Sequence, residues 1–181
     1  MEVIEKTLPG VLEIQLDRYL DGRGFFSEIF NPSLLARCGI KEFAQGNLSE
    51  SQQGVFRGFH FQVQPFQQGK LVYCMSGSIT DYVLDPDSNS LHFGQVVSID
   101  LSPEKNNAVW IPGNYAHGFL SHEDKTQIFY LVTKPWEKDY ERTIRATSIG
   151  IPELSGLSEQ KLSSKDFLAP TLEQVQPEPT S

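Results

Sequence analysis

The chain has 181 residues, with 15 Lys and Arg against 23 Asp and Glu for a formal charge of −8. That size fits one domain whose core needs no covalent staples, and 39% hydrophobic residues with 12 Phe exclude a disordered chain. The acidic balance excludes a general nucleic-acid binder, which needs a basic face to displace counterions; a local group of Arg and Lys can still draw an anionic small ligand.

From the N-terminus, MEVIEKTLPGVLEI places acids where a signal peptide needs bases. No stretch approaches the roughly 18 apolar residues of a membrane span, so a soluble cytoplasmic protein without a membrane partner is expected. VLEIQL at 11–16 alternates apolar and polar residues, which predicts a strand. Asn31 and Pro32 open PSLLARC and Gly39 closes it, an N-cap, first-turn proline and C-terminal glycine that predict a short helix. KLVYCM (70–75) and ITDYVL (79–84) flank Ser76-Gly77-Ser78, which predicts a hairpin; 93–101 and 127–133 read as further strands. Pro86-Asp87, Ser102-Pro103 and Pro112-Gly113-Asn114 are turn signals.

The Ser-, Glu- and Leu-rich segment 151–170 predicts short helical turns, and 176–181 a frayed tail. No repeat or linker divides the chain, so a single domain over 1–175 is expected. Short strands separated by Gly and Pro predict an all-β sandwich or barrel with a few short helices. At this size such a fold is commonly a jelly roll whose sheets enclose a cavity.

Cys38 and Cys74 are too few for a disulfide framework and lack metal spacing, so both are expected as reduced thiols. His92 and His122 sit in polar, loop-like text and are expected to be solvated. His60, in VFRGFHFQ, and His117, in PGNYAHGF, stand among aromatics. Strand alternation puts Gly58, His60 and Gln62 on one face and Arg57, Phe59 and Phe61 on the other. A lone His in such text is either a hydrogen-bonded core residue or a catalyst. Metal is not expected, because the position two beyond His60 is Gln62 rather than a second His. No nucleophile elbow, P-loop or dinucleotide turn occurs.

Seven blocks carry a resemblance: RGFFSEIF (23–30), QGNLSES (45–51), VFRGFHFQ (55–62), QGKLVYC (68–74), WIPGNYAHGF (110–119), FYLVTKPW (129–136) and LSSKD (162–166). In this order and spacing they resemble the dTDP-4-dehydrorhamnose 3,5-epimerase family from about residue 2 to residue 172. The resemblance implies a cupin-type jelly roll, a homodimer, no cofactor, and a dTDP-linked 4-keto-6-deoxyhexose as substrate. The family inverts C3 and C5, both alpha to the C4 ketone and so acidified by enolate delocalisation. That chemistry needs a base on one face, a charge at the enolate oxygen and an acid on the other face.

By matched position His60 is the base, Asp166 its orienting partner, Lys70 the cation at the oxygen and Tyr130 the acid. Arg23, Glu28, Gln45, Asn47, Arg57, His117, Glu141 and Lys165 line the substrate pocket; the guanidinium forks of Arg23 and Arg57 suit a diphosphate. Without the resemblance Lys70 reads as a solvated lysine and Tyr130 as a core aromatic. Asp166 would be a helix cap or surface charge, and the arginines surface ion pairs. Two departures stand out: Gly46 replaces an Asp between Gln45 and Asn47, which would remove a carboxylate beside the pocket, and IRATSIGIPE after Glu141 replaces an aromatic and acidic run. Inversion at one carbon, a non-catalytic sugar-nucleotide binder and a metal-dependent cupin remain alternatives.

Overall fold

The structure is a computed structural model that describes residues 1–175. Its strands form two antiparallel sheets face to face, a jelly-roll sandwich. One sheet runs β1 (Glu2–Glu5), β2 (Leu12–Gln15), β10 (Asn107–Ile111), β7 (Lys70–Ser76), β12 (Thr126–Val132), β5 (Gln45–Ser51). The other runs β13 (Glu141–Thr143), β6 (Phe56–Gln62), β11 (Ala116–Ser121), β8 (Ile79–Leu84), β9 (Val96–Leu101). A separate hairpin, β3 (Tyr19–Asp21) and β4 (Gly24–Phe26), stands outside both sheets.

The central strands of both sheets are covered on both faces, which explains the nearly unbroken apolar runs of β7 and β10. Between the sheets Val72, Val109 and Ile128 meet Ile79, Val83, Ile99 and Phe119. The outer face of the six-stranded sheet packs Leu71, Tyr73 and Trp110 against Leu34 and Ile40. Leu34 lies on α1 (Pro32–Arg37), whose Asn31 side chain accepts from the Leu34 N–H and whose Gly39 takes a positive φ of 67°. The predicted helix and both of its end signals are therefore present. The outer face of the five-stranded sheet is closed by the C-terminal segment, where Ile144, Leu154 and Leu172 pack on Phe56, Phe59 and Tyr82. That segment holds the expected short turns, including α2 (Pro152–Ser155) and α3 (Ser164–Phe167). The tail at 176–181 lies outside the described residues.

Three expectations need correction. β7 and β8 do not form a hairpin: β7 pairs with β10 and β12, and β8 with β9 and β11. Both edges of each strand are occupied, so the turn between them carries the chain from one sheet to the other. Gly77 makes that arch at φ 74°, where a Cβ would lie 2.3 Å from Thr126 Oγ1. The strand expected from residue 93 starts at Val96.

The third correction concerns β6. His117 pairs with His60 but Phe119 pairs with Arg57, so β6 uses three steps where β11 uses two. The extra residue is a bulge, which shifts the alternation by one. Arg57 therefore shares a face with His60 instead of opposing it. The bulge needs glycine at its centre: a Cβ on Gly58 would lie 2.4 Å from Gly118 Cα.

Candidate active site

A cavity of about 360 Å³ opens between the sheets. The six-stranded sheet contributes Gln45, Asn47, Ser49, Lys70 and Tyr130; the five-stranded sheet contributes Arg57, His60, His117, Phe119 and Glu141. Ser163 and Asp166 close it from the C-terminal segment. A wider surface depression of about 750 Å³ beside α1 is lined by Cys38, Trp110 and the charged Glu5, Arg37, Lys41, Glu42 and Lys134, but by no histidine among the described residues.

His60 Nε2 lies 2.5 Å from Asp166 Oδ1, a contact across 106 residues of chain. Asp166 is 3% exposed and sits on α3, whose Ser163 hydroxyl accepts from the Asp166 N–H. Burial alone would raise this carboxyl. The His60 hydrogen bond and charge, the Ser163 hydroxyl and Lys165 outweigh burial and hold it below the ordinary range. An ionised carboxylate only accepts, so His60 donates to it from Nε2 and turns Nδ1 away from it. Nδ1 has no protein partner among the described residues. A partly exposed imidazole with an oriented ring and a free nitrogen can act as a base.

Lys70 is buried on β7, with Nζ 3.3 Å from the Gln68 carbonyl. Desolvation pulls its ammonium down to about 8, against the opposing pull of Glu141 and Asp81. The ammonium is therefore present at neutral pH and lost as pH rises past that value. Tyr130 lies one strand away on β12, and its hydroxyl has no protein partner among the described residues. Burial pushes the phenol up, Arg57 works against that, and Glu141 adds to it; at neutral pH the group holds its proton. Tyr130 and His60 stand on facing walls, one on each sheet.

The rest of the cavity sets Arg57, His117, Glu141 and several amides beside Phe119 and Trp136. Arg57 donates through Nε to Ser51 Oγ at 2.9 Å and through Nη2 to the Glu50 carbonyl at 3.0 Å. His117 Nε2 lies 2.7 Å from Asp81 Oδ2. Gln45 donates to Asn47 Oδ1 at 2.6 Å, and its own oxygen accepts from the Trp136 N–H. Glu141 pairs with Lys165 at 2.5 Å, which places Lys165 at the rim.

Arg23 and Glu28 are not brought to the cavity in this chain. Arg23 is at the tip of the β3–β4 hairpin, paired with Asp21, and Glu28 follows that hairpin beside Asn31. The Gly46 departure also reads differently in three dimensions. Gln45, Asn47 and Ser49 face the cavity, whereas a Cβ on Gly46 would meet Leu131 and Phe129 on the opposite face. The pocket loses no carboxylate there. Sequence reasoning passed over Ser49, Gln68, Phe119, Trp136 and Ser163; the alternation of QGNLSES was the available signal for Ser49. Among the described residues no helix is long and apolar enough to cross a membrane.

The sequence matches the family model described as dTDP-4-dehydrorhamnose 3,5-epimerase over residues 5–174. A protein of that name from Shigella flexneri is 38% identical over 169 residues, 92% of this chain and 93% of that protein. The crystal structure of dTDP-6-deoxy-D-glucose-3,5-epimerase RmlC from Legionella pneumophila, solved with dTDP-4-keto-L-rhamnose, superposes with a TM-score of 0.87 at 35% identity, covering 97% of this chain and 94% of that one. ChmJ, a 3'-monoepimerase from Streptomyces bikiniensis solved with dTDP-quinovose, gives 0.85 at 27% identity over 93% and 86% of the two chains. On this match the chain belongs to the dTDP-4-dehydrorhamnose 3,5-epimerase family.

Proposed function

We propose that the protein inverts C3 and C5 of dTDP-4-dehydro-6-deoxyglucose, giving dTDP-4-dehydrorhamnose for deoxysugar synthesis. The observation that carries this reading is the placement of a bare, carboxylate-backed imidazole on one sheet and a protonated phenol on the facing sheet, with a buried ammonium beside the phenol. Inversion at carbon needs a proton taken from one side and returned on the other.

His60 Nδ1 removes the C3 or C5 proton, and Asp166 stabilises the imidazolium that forms. Electron density moves from the broken C–H bond to the C4 oxygen. Lys70 meets that oxygen, a preorganised charge of a kind worth about 3–4 kcal/mol in the barrier. Tyr130 then protonates carbon from the opposite face. Arg57 and His117 bind the diphosphate end, while Gln45, Asn47, Glu141 and Lys165 complete the pocket.

The reading extends to a cytoplasmic homodimer without cofactor. Two unpaired thiols suit a reducing compartment. Leu20 and Phe26 on the isolated hairpin are 77% and 67% exposed, an apolar surface that a second copy would cover. Arg23 and Glu28, carried by and beside that hairpin, reach a cavity only as the second copy's visitors.

Solvent deuterium incorporation into the 4-keto sugar tests the chemistry. Label at C3 and C5 is expected. Label at one carbon would instead make this a monoepimerase, as ChmJ is described, and no label would leave a sugar-nucleotide binder.

A further inference from the structure

Asp81 faces the space between the sheets from β8, in line with Ile79 and Val83, and is fully buried. It pairs across the strands with Ile99 and Phe119. A carboxylate among such neighbours carries a large hydration cost that its partners must repay. One of its oxygens, Oδ2, accepts from His117 Nε2 at 2.7 Å; the other, Oδ1, is buried without any hydrogen-bond partner. A structural ion pair would satisfy both. What Asp81 does supply is directed at the cavity floor.

Resting on the epimerase reading above, we propose that Asp81 is a positioning residue for the reaction: from behind the floor it fixes the ring of His117 and gives Lys70 a counter-charge. Because the carboxylate takes Nε2–H, His117 turns a bare Nδ1 away from Asp81, and no other protein group engages that nitrogen among the described residues. His117 is 8% exposed and lines the cavity, so the ring has one orientation and one free atom. Lys70 has no carboxylate within ion-pair distance, and its charge is steadied from two sides. Glu141 acts from β13 and Asp81 from β8. His117 on β11, with Arg57 and His60 on β6, completes the titratable groups facing it from the opposite sheet. On its own side Tyr130 is the neighbour, and Asp166 lies beyond His60. Glu141 is shared with Lys165, whereas among the described residues the basic groups acting on Asp81 are His117 and Lys70.

The test compares wild type with Asp81→Asn, which keeps shape and removes charge. Deuterium incorporation at saturating substrate is followed from neutral to alkaline pH. The alkaline fall in rate should begin about one pH unit lower in the variant, as expected when one nearby opposite charge is removed, and kcat at neutral pH should drop about twofold, the share of the ammonium that such a shift removes there. An alkaline limb left in place, whatever happens to Tm, overturns the proposal. Nitrogen NMR of the wild-type imidazoles decides the other half without any variant: His117 should carry its proton on Nε2, and a proton on Nδ1 alone would sink the assignment. A wild type that incorporates no label fails the epimerase reading itself and takes this proposal with it. An active wild type with an unshifted variant fails this proposal only.

Discussion

Two His–Asp pairs present an imidazole to the same cavity and differ in little except burial. His60–Asp166 is made at the rim, with the imidazole side chain 32% exposed; His117–Asp81 is sunk in the floor, at 9% and 0%. Burial sets the carboxylates apart. Asp166 is held below its ordinary value because its hydrogen bonds and neighbouring charges outweigh desolvation. Asp81 is raised, since desolvation exceeds what His117 and Lys70 return. On the reading proposed above, the same two residue types form a base with its orienter in one place and a fixed support in the other.

The largest contrast should come from the imidazoles. His60→Ala is expected to cut deuterium incorporation by about 10²–10⁴, the usual worth of a general base, with dTDP affinity nearly unchanged. His117→Ala should do the reverse, raising KM and the dTDP Kd about tenfold while exchange at saturation largely survives. Equal effects in the two variants would erase the distinction between the pairs. Next comes the acid: Tyr130→Phe should lose product by more than it loses exchange, because abstraction precedes reprotonation, and measuring both on one sample separates them.

The smallest expected effect is on stability, and its sign differs between the pairs. Asp166 has a depressed folded value, so its contribution is in place above its ordinary value of 3.8 and is lost as pH falls through the folded value. Asp81 has a raised folded value, so it costs stability as pH rises from 3.8 toward that value, and the cost persists at neutral pH. Calorimetry near neutrality should therefore find Asp166→Asn lowered by about 2–4 °C, the shift for roughly 1 kcal/mol at this size. Asp81→Asn should match wild type or exceed it. A clear drop for both would mean that the floor pair, too, is held for the fold.

Much of this was readable in the residues. The alternation of 11–16, the caps of α1 and the short turns near the C-terminus are local signals, and local signals survive folding. His60, Lys70, Tyr130 and Asp166 were named from ordered motifs, and all four line one cavity. What escaped depends on partners far away in sequence. Whether β7 and β8 pair is decided by the strands at their other edges. The face of Arg57 is decided by a bulge opposite Gly118. Asp81 left a trace that was not used: in ITDYVL it falls on the inward side with Ile79 and Val83, where a charge is out of place.

The contact between His60 and Asp166 joins β6 to α3, an element formed after every strand in chain order. Chains emerge from the ribosome N-terminus first, so every strand of the two sheets is available before α3 is made. A nascent polypeptide can thus assemble its cup while the imidazole still lacks the carboxylate that aims it. On the reading proposed above, a protease that nicked the chain just before Ser163 would free both Asp166 and Leu172, taking the carboxylate from the imidazole and part of the outer cover from the five-stranded sheet.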